Sequence, residues 1–444
     1  MKFLKSLYIN NLFFYLLSGI AILYVFAFFF PVIEWVPTLL LIVLILVTIV
    51  DFYLIFSNKK GVSTQRILPE KLSNGDENEV KLDIKNNYPF TIDVKMIDEI
   101  PFQFQKRDFE IKRKIKKGLN NLLSYTLTPK ERGEYSFGSL NIYVSSPIGI
   151  VAKRYRHHSN AMLPSYPSFI HLPKYELMAL NNEFLLGGIK KIRKIGHTLE
   201  FEQIKDYVQG DDIRTINWKA TGKHNKLMVN QYQEERAQRI YMLIDQGRTM
   251  KMPFNGLTLL DYSINAAMAL SHIVLKKKDQ AGVMSFSRKI STIVKAESKG
   301  NQIKNIANAL YNLTTDFAES DFNRLYAELR HKVTRRSLIL LFSNFETLDA
   351  LQRQLPYLRA IAKNHVLVIV FFKNAELKHL IEKPKKENLQ EIYDQIIAEK
   401  FEYEKKLIRN ELMKYGIQSV YTLPENLSIS VINKYLEIKA RGIL

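Results

Sequence analysis

The chain has 444 residues, enough for about two or three domains, and nearly half of them are apolar. Sixty-four Lys and Arg against forty-four Asp and Glu leave a formal charge of +20, which suits anionic lipid, nucleic acid or an acidic protein without choosing among them. There is no cysteine, which excludes disulfides, zinc–thiolate sites and a cysteine nucleophile.

Two apolar runs come first. "NLFFYLLSGIAILYVFAFFF" (11–30) carries no charge, and "TLLLIVLILVTIVDFYLIF" (38–56) carries only Asp51. Each approaches the roughly 20 residues a helix needs to cross a bilayer. Pro31, Pro37 and Trp35 in the short connection suit a reversal at an interface. Region 1–60 therefore reads as a transmembrane helical hairpin in a lipid bilayer. Lys2 and Lys5 before it, and Lys59, Lys60 and Arg66 after it, place both chain ends in the cytoplasm by the positive-inside rule. Asp51, about one turn from the helix end, reads as a carboxylate reaching the interface.

From about 66 to 170 the pattern changes to period two. "VKLDIKNN", "FTIDVKMID", "LLSYTLTP" and "YSFGSLNIYVSSP" alternate apolar and polar residues between turns, which predicts a small β-sandwich-like module. The basic run "KRDFEIKRKIKKG" reads as a solvated loop or charged edge strand. Contact with anionic lipid head groups is its alternative. With only Phe109 available for stacking, nucleic acid is not expected.

Beyond about Leu185 short apolar strands ("IYMLI", "AGVMSF", "SLILLFS", "HVLVIVFF", "QSVYTL") alternate with amphipathic helical stretches. This predicts an α/β doubly wound domain over 239–444, with one antiparallel strand from "VMSFSRKISTIV". In such sheets ligands bind beyond the carboxyl ends of the strands, where the first strand stops at Asp245. A late charged helix is expected to stop at Gly416.

A strand followed by Asp-x-Gly-x-Thr, a long helix and a β-hairpin resembles the von Willebrand factor A fold. "YVQGDDIRTINWKA", within an extension over 181–240, resembles the signature of the bacterial domain of unknown function 58 family, and "RGEYSFGSLNIYVSSPIGIV" resembles the end of that family's β module. The resemblance implies two membrane spans, a β module and a von Willebrand-like domain, with a MoxR-type AAA+ ATPase as a partner. The adhesion-site pattern of that fold maps onto Asp245, Thr249, Asn344 after "LFS", and Thr314 or Thr315 in "LTTDFAESD", of which Thr315 is taken, with Mg²⁺ as the candidate ion. Gly247 stands where the pattern has Ser, and Asn344 where it has an acid, so the other reading is a degenerate rim in which Asp245 caps local backbone amides or meets Arg248.

No paired histidine spacing, positioned nucleophile or Walker-type loop stands out, so no enzyme is expected. In "GDDIRTINWKA" Ile213, Ile216 and Trp218 read as burying residues beside an Arg–Asp lock. Asp211, Asp212, Arg214 and Trp218 read alternatively as a partner-docking surface. The expected function is that of a non-enzymatic, membrane-anchored interaction or assembly-factor protein of the bacterial inner membrane. A metal-dependent enzyme at the Asp245 rim and a basic lipid-surface module are the alternatives.

Overall fold

A computed structural model describes residues 6–58, 61–118, 120–173, 175–177, 195–209, 211–233, 237–374 and 389–443. Lys2, Lys5, Lys59, Lys60, Gly210, the glycine-containing entry to the extension and most of the "HLIEKPKKENLQ" loop lie outside them. The chain divides into two compact units, Met1–Tyr166 and Pro167–Leu444.

In the first unit a short strand, β1 (Leu7–Ile9), leads into helices α1 (Asn11–Phe29) and α2 (Trp35–Phe56). Both helices are long and apolar enough to cross a membrane. Ten strands follow: β2 (Val62–Ile67), β3 (Leu72–Ser73), β4 (Asn78–Asn86), β5 (Ile92–Asp98), β6 (Glu110–Ile115), β7 (Asn120–Leu127), β8 (Gly133–Phe137), β9 (Leu140–Ser145), β10 (Val151–His157) and β11 (Ala161–Tyr166). They form an antiparallel sheet β1-β10-β9-β5-β6 and two three-stranded sheets, β2-β4-β7 and β3-β11-β8. The period-two pattern sends Leu82 and Ile84 of β4 and Val94 and Met96 of β5 into one core between sheets. The basic run becomes β6, at the edge of its sheet.

Two charged residues behave differently from their reading as free charges. Arg66 is buried in β2, where it donates to Asp98 at 2.5 Å and to the carbonyls of Gly138 and Ser159. It is a structural ion of the β module, and so is no flanking charge for the helices. Asp51 is fully buried. It accepts hydrogen bonds from the Ile150 and Val151 amides at 2.9 and 2.7 Å and from Ser146 Oγ. The carboxylate thus ties α2 to the "SSPIGIV" segment instead of reaching for solvent.

The second unit opens with a ribbon of β12 (Ile195–Asp206) and β13 (Met228–Gln233), with helix α3 (Trp218–His224) between them. Among the described residues β13 pairs with β12 and is no part of the main sheet. Then come β14 (Arg239–Asp245), the small hairpin β15 (Pro253–Phe254) and β16 (Leu257–Thr258), α4 (Leu259–Lys276), β17 (Gln280–Phe286), β18 (Ile290–Glu297), α5 (Gln302–Tyr311), α6 (Phe322–Lys332), β19 (Leu338–Phe342), α7 (Leu348–Asn364), β20 (Val366–Phe372), α8 (Leu389–Lys414), β21 (Gln418–Thr422) and α9 (Leu427–Ala440). The main sheet runs β18-β17-β14-β19-β20-β21, parallel throughout except for the antiparallel edge strand β18.

Alternation along β14 places Met242 and Ile244 in a core with α4, α5 and α9, and Leu243 in a second core with α6, α7 and α8. α4 starts at a capping box between Thr258 and Asp261. α8 ends where Gly416 takes a positive φ of 71°, and the Ile417 amide returns to the Leu412 carbonyl.

Candidate functional site

Because β14, β17 and β19 are parallel, their carboxyl ends share one rim, and Asp245 is the last residue of the central one. It is only 3 % exposed. Its Oδ1 accepts the Gly247 amide at 2.8 Å and Ser320 Oγ, and its Oδ2 accepts Ser343 Oγ at 2.6 Å. Ser320 arrives on the segment between α5 and α6. That segment is held to the rim by Gln246 Nε2 donating to the Thr314 carbonyl and by the Arg248 amide donating to the Ala318 carbonyl. Burial pushes the Asp245 carboxyl above the ordinary range, against the pull of the two hydroxyls and the Gly247 amide.

Gly247 has a steric reason. A Cβ there would collide with Ser320 Oγ, so the hydroxyl missing from position 247 is supplied by Ser320. A cavity of about 280 Å³ opens beside this cluster, with Thr249 and Asn344 also on its wall. Thr315 does not line it. Three of the four expected residues therefore share the cavity. Sequence reasoning missed Ser320 and Ser343, although Ser343 directly precedes Asn344 and Ser320 lies five positions after Thr315, both named from the sequence.

The donor set does not fit an adhesion-type Mg²⁺ ion. Mg²⁺ takes hard oxygen ligands in near-octahedral order, usually one or two carboxylates with waters. Here the expected second acid is Asn344, and its Oδ1 accepts Lys405 Nζ at 3.1 Å. An ammonium on that oxygen holds the place of a cation. Lys405 also donates to the Phe345 carbonyl, and burial lowers its pKa to about 8 while Glu346 and Glu404 pull it upward.

The Gly-Asp-Asp block is built otherwise than expected. Asp211 accepts Lys205 Nζ at 2.9 Å and the Val208 amide at 3.0 Å; the lysine holds its carboxyl below the usual range. Asp212 caps a short turn by accepting the Arg214 amide at 3.0 Å. Asp211 is thus locked by Lys205 and not by Arg214, whose side chain is exposed. Ile213 and Trp218 are 70 % and 72 % exposed, so neither buries the extension; Ile216 is half-buried. The reason is local: Asn217 caps α3 by accepting the Ala220 amide, which fixes the helix start with Trp218 on its outer side.

Residues 203–410 match the family model described as "Protein of unknown function DUF58". The chain is 22 % identical over 166 residues to the uncharacterized protein YeaD of Bacillus subtilis (strain 168), a match covering 37 % of this chain and 39 % of that protein. Among solved structures, PapD-like domain 7 of human CEP192 matches at 12 % identity and a TM-score of 0.20, covering 24 % of this chain and 87 % of that one. Proximal thread matrix protein 1 of the mussel byssus matches at 8 % identity and a TM-score of 0.26, covering 46 % and 47 %. The similarity to the DUF58 family thus covers residues 203–410, a little under half of the chain, and the chain spans 39 % of the length of the curated relative it matches.

Proposed function

We propose that this chain is a membrane-anchored interaction protein, without catalytic activity of its own, whose von Willebrand factor A-like second unit docks a protein partner in the cytosol. The observation that carries this reading is the outward Trp218, with Ile213 close by in sequence, on an arm whose acids are already engaged locally. Exposed large apolar side chains beside polar ones mark interaction surfaces, and Trp is enriched among residues that dominate binding. The order of the six-stranded sheet, with helices on both faces, supports the von Willebrand-like description. A MoxR-type AAA+ ATPase is the partner to test first. Its binding to the full chain in nanodiscs, followed by biolayer interferometry, is expected to weaken about thirtyfold on Trp218→Ala, the scale of a binding hot spot. Equal affinity for the folded variant would remove the arm from the interface.

The membrane arrangement has its own test. The chain lacks cysteine, so introduced single cysteines are the sole thiols. Val32→Cys is expected to react with an impermeant maleimide on intact cells, and Asn312→Cys only after permeabilisation. The reverse pattern would invert the orientation.

A further inference from the structure

A second cavity, of about 310 Å³, lies at the same sheet rim between α8 and the β15–β16 hairpin. Its walls are Met252, Phe254, Leu259, Phe372, Phe401 and Tyr421. Phe372 and Tyr421 lie at the carboxyl ends of β20 and β21, the place where ligands bind in parallel sheets. At one corner the walls turn polar. Lys405 Nζ uses two of its three N–H groups on Asn344 Oδ1 and the Phe345 carbonyl, leaving one among the described contacts. Glu402 on the wall accepts Lys373 Nζ and Tyr421 Oη, both at 3.2 Å. Glu346, also on the wall, is exposed.

We infer that this cavity binds a compact amphiphilic monocarboxylate, its apolar body against the aromatic walls and its carboxylate on Lys405. An apolar pocket with a few convergent polar groups is the usual form of a small-molecule site. The ammonium at its polar corner selects an anion, and a charge-assisted hydrogen bond there is stronger than a neutral one. Size sets the class: the cavity has the volume of about ten water molecules, and bonded atoms pack more closely than separate waters, so it suits a small organic acid of about 10–15 non-hydrogen atoms. An aryl-propanoate or a medium-chain fatty acid is of that size. This site is separate from the exposed arm at Trp218 and does not depend on partner docking there.

The probe is 3-phenylpropanoate, titrated by calorimetry into the full chain in nanodiscs at pH 7. Saturable one-to-one binding at about 1 mM or tighter is expected for a ligand of this size. The neutral 3-phenylpropanamide is expected to bind at least tenfold more weakly. Lys405→Met should abolish the preference for the acid. Met252→Trp, which fills the mouth from a half-exposed position and leaves the core alone, should abolish binding of both compounds. N-acetyl-phenylalanine, a mimic of a peptide carboxyl end whose polar amide would have to be buried against the apolar walls, is expected to bind more weakly than phenylpropanoate. Absence of binding to the folded wild type, undiminished binding in Met252→Trp, or equal affinity for acid and amide would each overturn the assignment. Tighter binding of N-acetyl-phenylalanine would overturn it in favour of a peptide terminus.

Discussion

Asp51→Ala is expected to destabilise the first unit by about 2–6 kcal/mol and to loosen the apolar hairpin from the β module. The magnitude follows from what the alanine leaves behind. The Ile150 and Val151 amides lose their acceptor in a place where Asp51 itself has no exposure, and each orphaned buried donor costs roughly 1–3 kcal/mol. Ser146 Oγ can rotate to another acceptor, so it adds little. Other ties include Asn10 Nδ2 to the Gly149 carbonyl at 2.9 Å, the strand pair β1–β10, Tyr88 Oη to the Ile55 carbonyl at 2.8 Å, and an apolar cluster that joins Ile20 and Leu44 to Ile150 and Val151. Asp51→Asn retains one acceptor oxygen, so it should fall between wild type and alanine. Thermal unfolding of the full chain in nanodiscs, with trypsin cleavage between Asn58 and Val62 as a second readout, measures both effects. An unchanged midpoint and cleavage rate in the alanine variant would show that the carboxylate does not couple hairpin to module.

This contact shows where sequence reasoning ends. The hairpin itself was legible, because a long uncharged run and a tight proline-flanked reversal are local features. The partner of its acid was not. Asp51 and Val151 are 100 positions apart, and nothing in the periodicity of either stretch signals the other. The main sheet was similarly legible: short apolar strands, amphipathic connections and a Ser-Arg-Lys turn imply parallel order with one antiparallel edge, as found.

At the rim, the end of β14 at Asp245 could be read from the sudden stop of an apolar run. Ser320 could not, since it reaches Asp245 only because the segment after α5 folds back over the sheet. Asn344, named from the sequence as a candidate metal ligand, lines the cavity, yet its oxygen is engaged by Lys405, which comes from a helix 61 residues further on. The arm failed for a different reason. Apolar residues in a short polar segment were assigned to burial, but a two-stranded ribbon with one short helix has too little interior to cover Ile213 and Trp218.

Two replacements of Asp245 differ in the hydrogen bonds they leave at the rim. Asp245→Ala leaves the Gly247 amide without its acceptor beside two unsatisfied serine hydroxyls, and should cost about 2–4 kcal/mol. Asp245→Asn keeps an oxygen toward Gly247 and Ser320 and can donate through Nδ2 to Ser343, so it should be far milder. The pH dependence distinguishes them further. Burial raises the folded-state pKa of Asp245 above the ordinary value that the unfolded chain retains. Between those two values the folded protein holds more protons, so this residue's contribution to stability falls as pH rises through that window. Asparagine cannot titrate. The stability of Asp245→Asn relative to wild type should therefore increase as pH rises from the ordinary carboxylate range through the raised folded-state value, and level off above it. Denaturant unfolding of the full chain across that range checks the trend. Calorimetry with Mg²⁺ or Mn²⁺ on the same proteins is expected to show no saturable binding, because Lys405 already occupies the Asn344 oxygen. Binding to wild type that disappears in Asp245→Asn would instead mean that Lys405 yields to a metal, and would return the rim to an adhesion-type site.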